Sequence, residues 1–250
     1  MKKTVKEIAL GAGVFAFWIA VWAVVAAAVG QELLVPSPLV TGKTLVSLAG
    51  DGEFWLSVLF SLLRVAEGFL FGVLAGTVLA VCGFVCPPAG RFVKPILTVI
   101  KATPVASFIV LALVWIQTDN VPVFISFLMV TPFVWANVKQ GLQSAPQELK
   151  EVCELYRFGR RKTVRVLYLP AVKPYFFAAL DTSIGLAWKA GIAAEVLCRP
   201  DRSIGNAIWR AKLTLETPAV FAWTAVVVVL SLILEKLLHA LLKKGREAAK

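Results

Sequence analysis

The sequence predicts an all-α protein that crosses a lipid bilayer several times, and three observations carry that reading. Hydrophobic residues make up 59% of the 250-residue chain and charged residues only 16%, both far from the soluble average. Several apolar runs reach the roughly 20 residues that a helix needs to cross a hydrocarbon core of about 30 Å. The charges collect mainly between those runs and at the two ends of the chain.

Six transmembrane helices are expected in one domain covering residues 1–250, with boundaries good to about 2–4 residues. The first is Ile8–Val29, the second Phe54–Gly83 and the third Ile96–Ile116. The fourth is Val121–Leu142, the fifth Tyr175–Leu197 and the sixth Pro218–Leu238. Residues 30–53, with Val35-Pro36-Ser37-Pro38, read as an irregular or amphipathic connector. Met1-Lys2-Lys3 ahead of an apolar run resembles a secretory signal, and Ala26–Val29 suits a peptidase. At 22 residues that run exceeds the about 7–15 of a signal core, which favours a retained first helix.

Orientation follows from the Lys and Arg bias of the loops. With both termini cytoplasmic, sixteen fall inside: Lys2, Lys3, Lys6, Arg91, Lys94, seven between 143 and 174, and four after the sixth span. Five fall outside: Lys43, Arg199, Arg202, Arg210 and Lys212. Cytoplasmic termini are therefore expected. The Arg-rich outer segment 198–217 is expected to re-enter or to line a vestibule. The net charge of +11 is explained by this topology and by anionic membrane lipid, and nucleic acid is not implied.

Gly68, Gly72 and Gly76 recur every four residues in span two and form one smooth stripe. Small residues at this spacing let two backbones approach closely in lipid, so a tight helix contact is expected there. Charges inside apolar spans face a bundle interior or a watery path. Arg64 and Glu67, at i and i+3, are expected to pair along one helix face. Lys189 and Glu195 are six apart, and each needs a partner elsewhere. Lys189, beside Trp188 and flanked by Gly185 and Gly191, can attract an anionic substrate. It can equally satisfy carbonyls or a carboxylate on a neighbouring helix. Trp188, Lys189 and Glu195 are the candidates for lining a translocation path.

No nucleophile–base pair or Gly-rich phosphate loop stands out, so catalysis by this chain alone is not expected. Cys82, Cys86, Cys153 and Cys198 show no metal spacing. Cys82 and Cys86, one turn apart, read as small apolar residues of a membrane helix. No metal or cofactor is expected on the chain, and the lone His239 reads as interfacial.

The polar stretch Glu148–Pro174 carries Glu148, Glu151 and Glu154 ahead of a basic block from Arg157 to Arg165. It is too short for a catalytic domain, so any energy source sits on a partner, and this loop is where it would be received. Ser144 reads as an N-cap with Gln147 at the reciprocal position and Pro146 in the first turn. Glu148 and Glu151 then lie near the positive end of the helix dipole and Arg157 toward its negative end. The helix is expected to end near Phe158-Gly159, with Gly159 as a left-handed cap. A second amphipathic stretch, Thr163–Leu169, leads to Pro170 at the start of span five.

The loop resembles the EAA signature of bacterial ATP-binding-cassette importer permeases, E-A-A-x3-G-x9-I-x-L-P. Glu151 falls on the glutamate, Val152 and Cys153 on the alanines, and Leu167, Leu169 and Pro170 on the I, L and P positions. Arg157 stands at the glycine position, and Gly159 is expected to take over the turn. Ser61–Arg64, Lys101–Pro104, Gly185–Glu195 and Ser203–Gly205 are similar to the nitrate/sulfonate/taurine-type subfamily, so the resemblance covers nearly the whole chain.

That resemblance implies a type I importer permease, a six-helix subunit of a bacterial inner membrane working as a dimer, most simply a homodimer. The loop would be a coupling helix, with Val152, Leu155 and Tyr156 offered to a groove of one of two cytoplasmic ATPase subunits. Those partners would bind ATP and Mg²⁺, and an external solute-binding protein would deliver substrate. The subfamily carries nitrate, alkanesulfonates, taurine and cofactor precursors, and nothing in the chain chooses among them. The rival readings are an autonomous channel or secondary carrier using Asp181, Lys189 and Glu195, and a membrane enzyme or scaffold.

Overall fold

Backbone groups in lipid have to bond within their own segment, and the chain forms helices through most of its length. The computed structural model describes residues 2–247 and the side chains of residues 10–242. The side chains of Lys2, Lys3, Lys6 and the four cations after span six, all counted for orientation, lie outside the latter range.

The chain starts with α1 (Lys2–Val29). The expected connector is a helix in its middle, α2 (Pro38–Ala49), whose N-cap Ser37 accepts from the Val40 amide at 3.3 Å. Asp51 caps α3 (Gly52–Val85) by accepting from the Glu53 amide at 3.1 Å. After α3 come α4 (Pro87–Ala102), α5 (Val105–Ala112) and α6 (Val121–Gln143). The polar loop holds α7 (Gln147–Leu155) and α8 (Arg160–Thr163), and a π-turn, Val164–Tyr168, runs into α9 (Leu169–Cys198). The chain closes with α10 (Ile204–Leu213) and α11 (Thr217–Glu247).

Among the described residues α1, α3, α6 and α11 are long and apolar enough to cross a membrane, and the pair α4–α5 makes a fifth if taken as one span. That pair corrects the third expected span. It is broken between Ala102 and Val105 and bent by 104°, because a residue before proline is driven out of the helical region. Thr103 and Pro104 are both extended, each with ψ 134°. α9 has the length at 30 residues but carries Asp181, Lys189 and Glu195.

α6 sits between α3 and α9. The glycine stripe lies against α6 as expected. A Cβ on Gly72 would stand 2.6 Å from Val130 Cβ, and one on Gly76 would stand 2.7 Å from the Thr131 carbonyl. On Gly68 it would collide with the Val123 carbonyl. The core follows this seam through Val65, Val130, Val134, Ala187 and Ile192. α1 is fastened by Trp22, which donates to the Pro36 carbonyl at 3.0 Å and stacks on Phe221 of α11. Elsewhere it exposes Leu10, Phe15 and Trp18.

At the end opposite α7, α10 lines an open cavity of about 890 Å³ with Asp51, Glu53, Arg202, Asn206, Arg210 and Glu216. Segment 198–217, expected to re-enter or to line a vestibule, contributes to this cavity. Overpacking a close seam costs typically about 1–3 kcal/mol. Gly72→Leu is therefore expected to lower the thermal midpoint in detergent, while Leu74→Ala, at an exposed position of the same helix, leaves it nearly unchanged.

Candidate functional site

The loop begins differently from the sequence expectation. Ser144 does not cap α7. It ends α6, its hydroxyl donating to the Gly141 carbonyl at 2.9 Å. Pro146 is the N-cap and makes no side-chain bond there, so no capping box forms. Gln147 instead turns along α7 toward Glu151, 3.5 Å away.

Along α7 Cys153 is buried, while Glu151, Val152, Leu155 and Tyr156 face solvent. Leu155 is 78% exposed, a large apolar side chain on a polar surface. The helix ends in a Schellman turn. The Arg157 amide donates to the Glu154 carbonyl at 3.0 Å and the Phe158 amide to the Cys153 carbonyl at 2.9 Å. Arg157 itself adopts the left-handed backbone, φ 49°. Gly159 has φ −63° and precedes α8 as its N-cap, so the expected transfer of the turn to Gly159 is corrected. The turn stays at the glycine position of the motif, with an arginine in it.

From Arg160 the chain is helical without interruption to Cys198. The expected separate amphipathic stretch is the start of one long rod. Pro170 has no amide to give to an α-helical ladder, and directly before it the Leu169 amide reaches back to Val164, closing the π-turn. Leu167 is buried, whereas Leu169 and Pro170 are exposed. Of the motif, Cys153 and Leu167 are buried and the rest is open to a partner.

Within the bundle the three path candidates separate. Trp188 is in the core, and its indole donates to the Val227 carbonyl of α11 at 3.0 Å. Glu195 is fully buried. It accepts from Ser61 at 2.7 Å and from the Gly205 amide at 3.2 Å, and Arg64 stands 3.7 Å away. A side chain at Gly205 would collide with Glu195. Lys189 alone is exposed.

The expected Arg64–Glu67 pair is not formed. Arg64 turns to Asp119 at 3.2 Å and to the carbonyls of Asp201 and Arg202, while Glu67 lines an outward groove with Phe71 and Phe127. Sequence reading missed Ser61 as a partner of Glu195. The available signal was its i, i+3 spacing to Arg64, which sets both on one face. His239 lies 3.5 Å from Asp181. Among the described residues no three His, Cys, Asp or Glu side chains converge as a metal site.

An apolar helical bundle with a helical loop at one end and an open cavity at the other has the build of a polytopic membrane protein. The family model for the binding-protein-dependent transport system inner membrane component matches residues 68–246, and the chain belongs to that family. It is 29% identical over 209 residues to a nitrate import permease of Synechococcus elongatus, covering 78% of this chain and 73% of that one. It is 29% identical to a bicarbonate transport permease of the same organism, of which it spans only 58%. It is 23% identical to the taurine transport permease of Escherichia coli, covering 96% of this chain and 89% of that one. A solved amino acid ABC transporter chain shares the fold at TM-score 0.62 and 17% identity, covering 74% of this chain and 91% of that one.

A left-handed backbone costs an L-residue roughly 1–2 kcal/mol. Arg157→Gly is accordingly expected to slow hydrogen exchange at the Arg157 and Phe158 amides, and Arg157→Val to speed it.

Proposed function

We propose that the chain forms the translocation path of an ATP-driven importer for a small anion and receives its drive through α7. The observation that carries this reading is α7 itself, a helix that buries Cys153 and leaves Val152, Leu155 and Tyr156 uncovered. Apolar side chains exposed inside a polar rim mark protein interaction sites. In this reading the rim is Glu148, Lys150, Glu151 and Glu154, and the partner is an ATPase subunit that binds ATP and Mg²⁺. Two such subunits would serve two copies of the chain. Both termini then lie in the cytoplasm, and a solute-binding protein would dock on the α10 vestibule from outside.

Lys189 supports the dimer and the anion together. An ammonium exposed near the middle of a membrane helix costs about 2.5–3.5 kcal/mol on insertion scales, so it belongs on a watery path that a second copy completes. The relatives named for nitrate, bicarbonate and taurine transport act on molecules that each carry an oxyanion, which a lysine can meet with charge-assisted bonds.

Glu151→Lys and Cys153→Trp are expected to insert normally yet abolish ATP-dependent uptake in vesicles reconstituted with the ATPase. Normal uptake by both would remove α7 from the mechanism. Uptake that survives disabling the ATPase nucleotide site would make the chain an autonomous carrier.

A charged hydrogen bond is worth roughly 1.5–3 kcal/mol, so Lys189→Met should lower anion uptake by about tenfold or more at equal expression. Unchanged uptake would take Lys189 off the path.

A further inference from the structure

At the α7 end of the bundle, the close of α3, the first turns of α4 and the close of α6 surround a cavity of about 350 Å³. None of the roles above uses it. Its volume is at the lower end of the range for small-ligand sites, about 300–1,000 Å³. Gly83 and Gly90 fix its geometry, because a Cβ on Gly83 would stand 3.0 Å from Gly90 Cα. That close approach holds α3 and α4 together at the cavity.

Three cations line it: Arg91 and Lys94 from α4 and Lys139 from α6. None of them has a carboxylate partner among the described residues. Lys139 lies over the Trp135 ring, 4.9 Å from its centroid, which leaves its charge uncancelled. Like charges gathered in one cleft repel, and an anion between them turns that repulsion into attraction.

The opposite face of α4 identifies the anion. Phe92, Ile96 and Val99 recur at i, i+4 and i+7 on α4 and are all exposed, Phe92 by 80%. Val85, at the end of α3, is exposed as well. An apolar stripe on a helix that also carries cations is the pattern of a helix lying at a membrane interface. Basic pockets between membrane helices on the cytoplasmic side take anionic lipid headgroups.

We infer that this cleft binds the phosphate headgroup of an anionic phospholipid from the membrane that the apolar face of α4 meets. Arg91 offers a planar fork to two phosphate oxygens, and Lys94 and Lys139 act as point charges. The site sits between α4, which leads to the Thr103-Pro104 break, and the end of α6, which leads to α7. A bound headgroup therefore ties α4 to the helix that leads into α7.

The test is native mass spectrometry of the full-length chain, delipidated in mild detergent and titrated with phosphatidylglycerol or with phosphatidylcholine of the same acyl chains. Phosphatidylglycerol is expected to be retained at least tenfold better. Arg91→Ala, Lys94→Ala and Lys139→Ala should each weaken its retention by about fivefold, the value of one cation near an anionic surface. Lys94→Arg should keep it, and Lys43→Ala at the opposite end of the bundle should leave it unchanged.

Equal retention of the two lipids would overturn the inference, as would an equal loss from Lys43→Ala. Displacement of the lipid by millimolar glycerol 3-phosphate would make the cleft a site for free phosphate esters. Substitutions that spare lipid retention but weaken recovery of the ATPase would make it part of the partner interface. All of these readouts are independent of which solute is carried.

Discussion

Glu195 is a carboxylate with 0% exposure inside the bundle, so the protein itself has to satisfy it. Its partners come from separate parts of the chain: Ser61 of α3, the Gly205 amide at the start of α10, and the Arg64 guanidinium. Ser61 serves twice, donating to Glu195 and accepting from the Ile204 amide at 3.0 Å. Arg64 reaches on to Asp119, between α5 and α6, and to two carbonyls before α10. Removing one partner from a buried pair typically costs about 3–5 kcal/mol. Near α10 these elements are therefore bound to move as one body.

The opposite end is tied to the bundle mainly through its chain connections. α7 joins α6 through the short link 144–146 and joins α9 through the Schellman turn at Arg157 and the rod that begins at Arg160. α6 and α9 are the helices at the centre of the bundle, and α3 is locked to α6 along Gly68, Gly72 and Gly76. A force on α7 thus reaches the central helices directly. Irregular backbone occurs at both ends: the π-turn before Pro170 and the left-handed Arg157 beside α7, and the left-handed Arg199, Arg202 and Leu215 around α10. Such turns can change direction without breaking a core, whereas the glycine seam cannot slide without steric collision.

The outward surface divides by chemistry in the same way. α1 and α3 turn Leu, Val and Phe outward, which suits lipid or another apolar helix. Lys189 and Glu67 interrupt that surface with charge, and each marks a place where pure hydrocarbon is an expensive neighbour. Cations without carboxylate partners gather around the close of α3 and α6, next to the apolar stripe of α4. One polypeptide thereby presents apolar, isolated-charge and clustered-cation surfaces.

The sequence by itself determined the helical class, most span positions, the glycine seam and the register of the loop motif. These depend on apolar run length and on residue spacing along one chain, and both survive without tertiary information. Only the tertiary structure decided which charge meets which. Arg64 prefers Asp119 and the neighbourhood of Glu195 to the nearby Glu67, because partners brought from other elements satisfy a buried carboxylate that a helix neighbour cannot reach. It also decided the turn at Arg157 and the failure of Ser144 as a cap. Local propensity favours glycine for a left-handed residue and serine for a cap, but the backbone bonds that close α7, from the Arg157 and Phe158 amides to Glu154 and Cys153, place the turn two residues before Gly159.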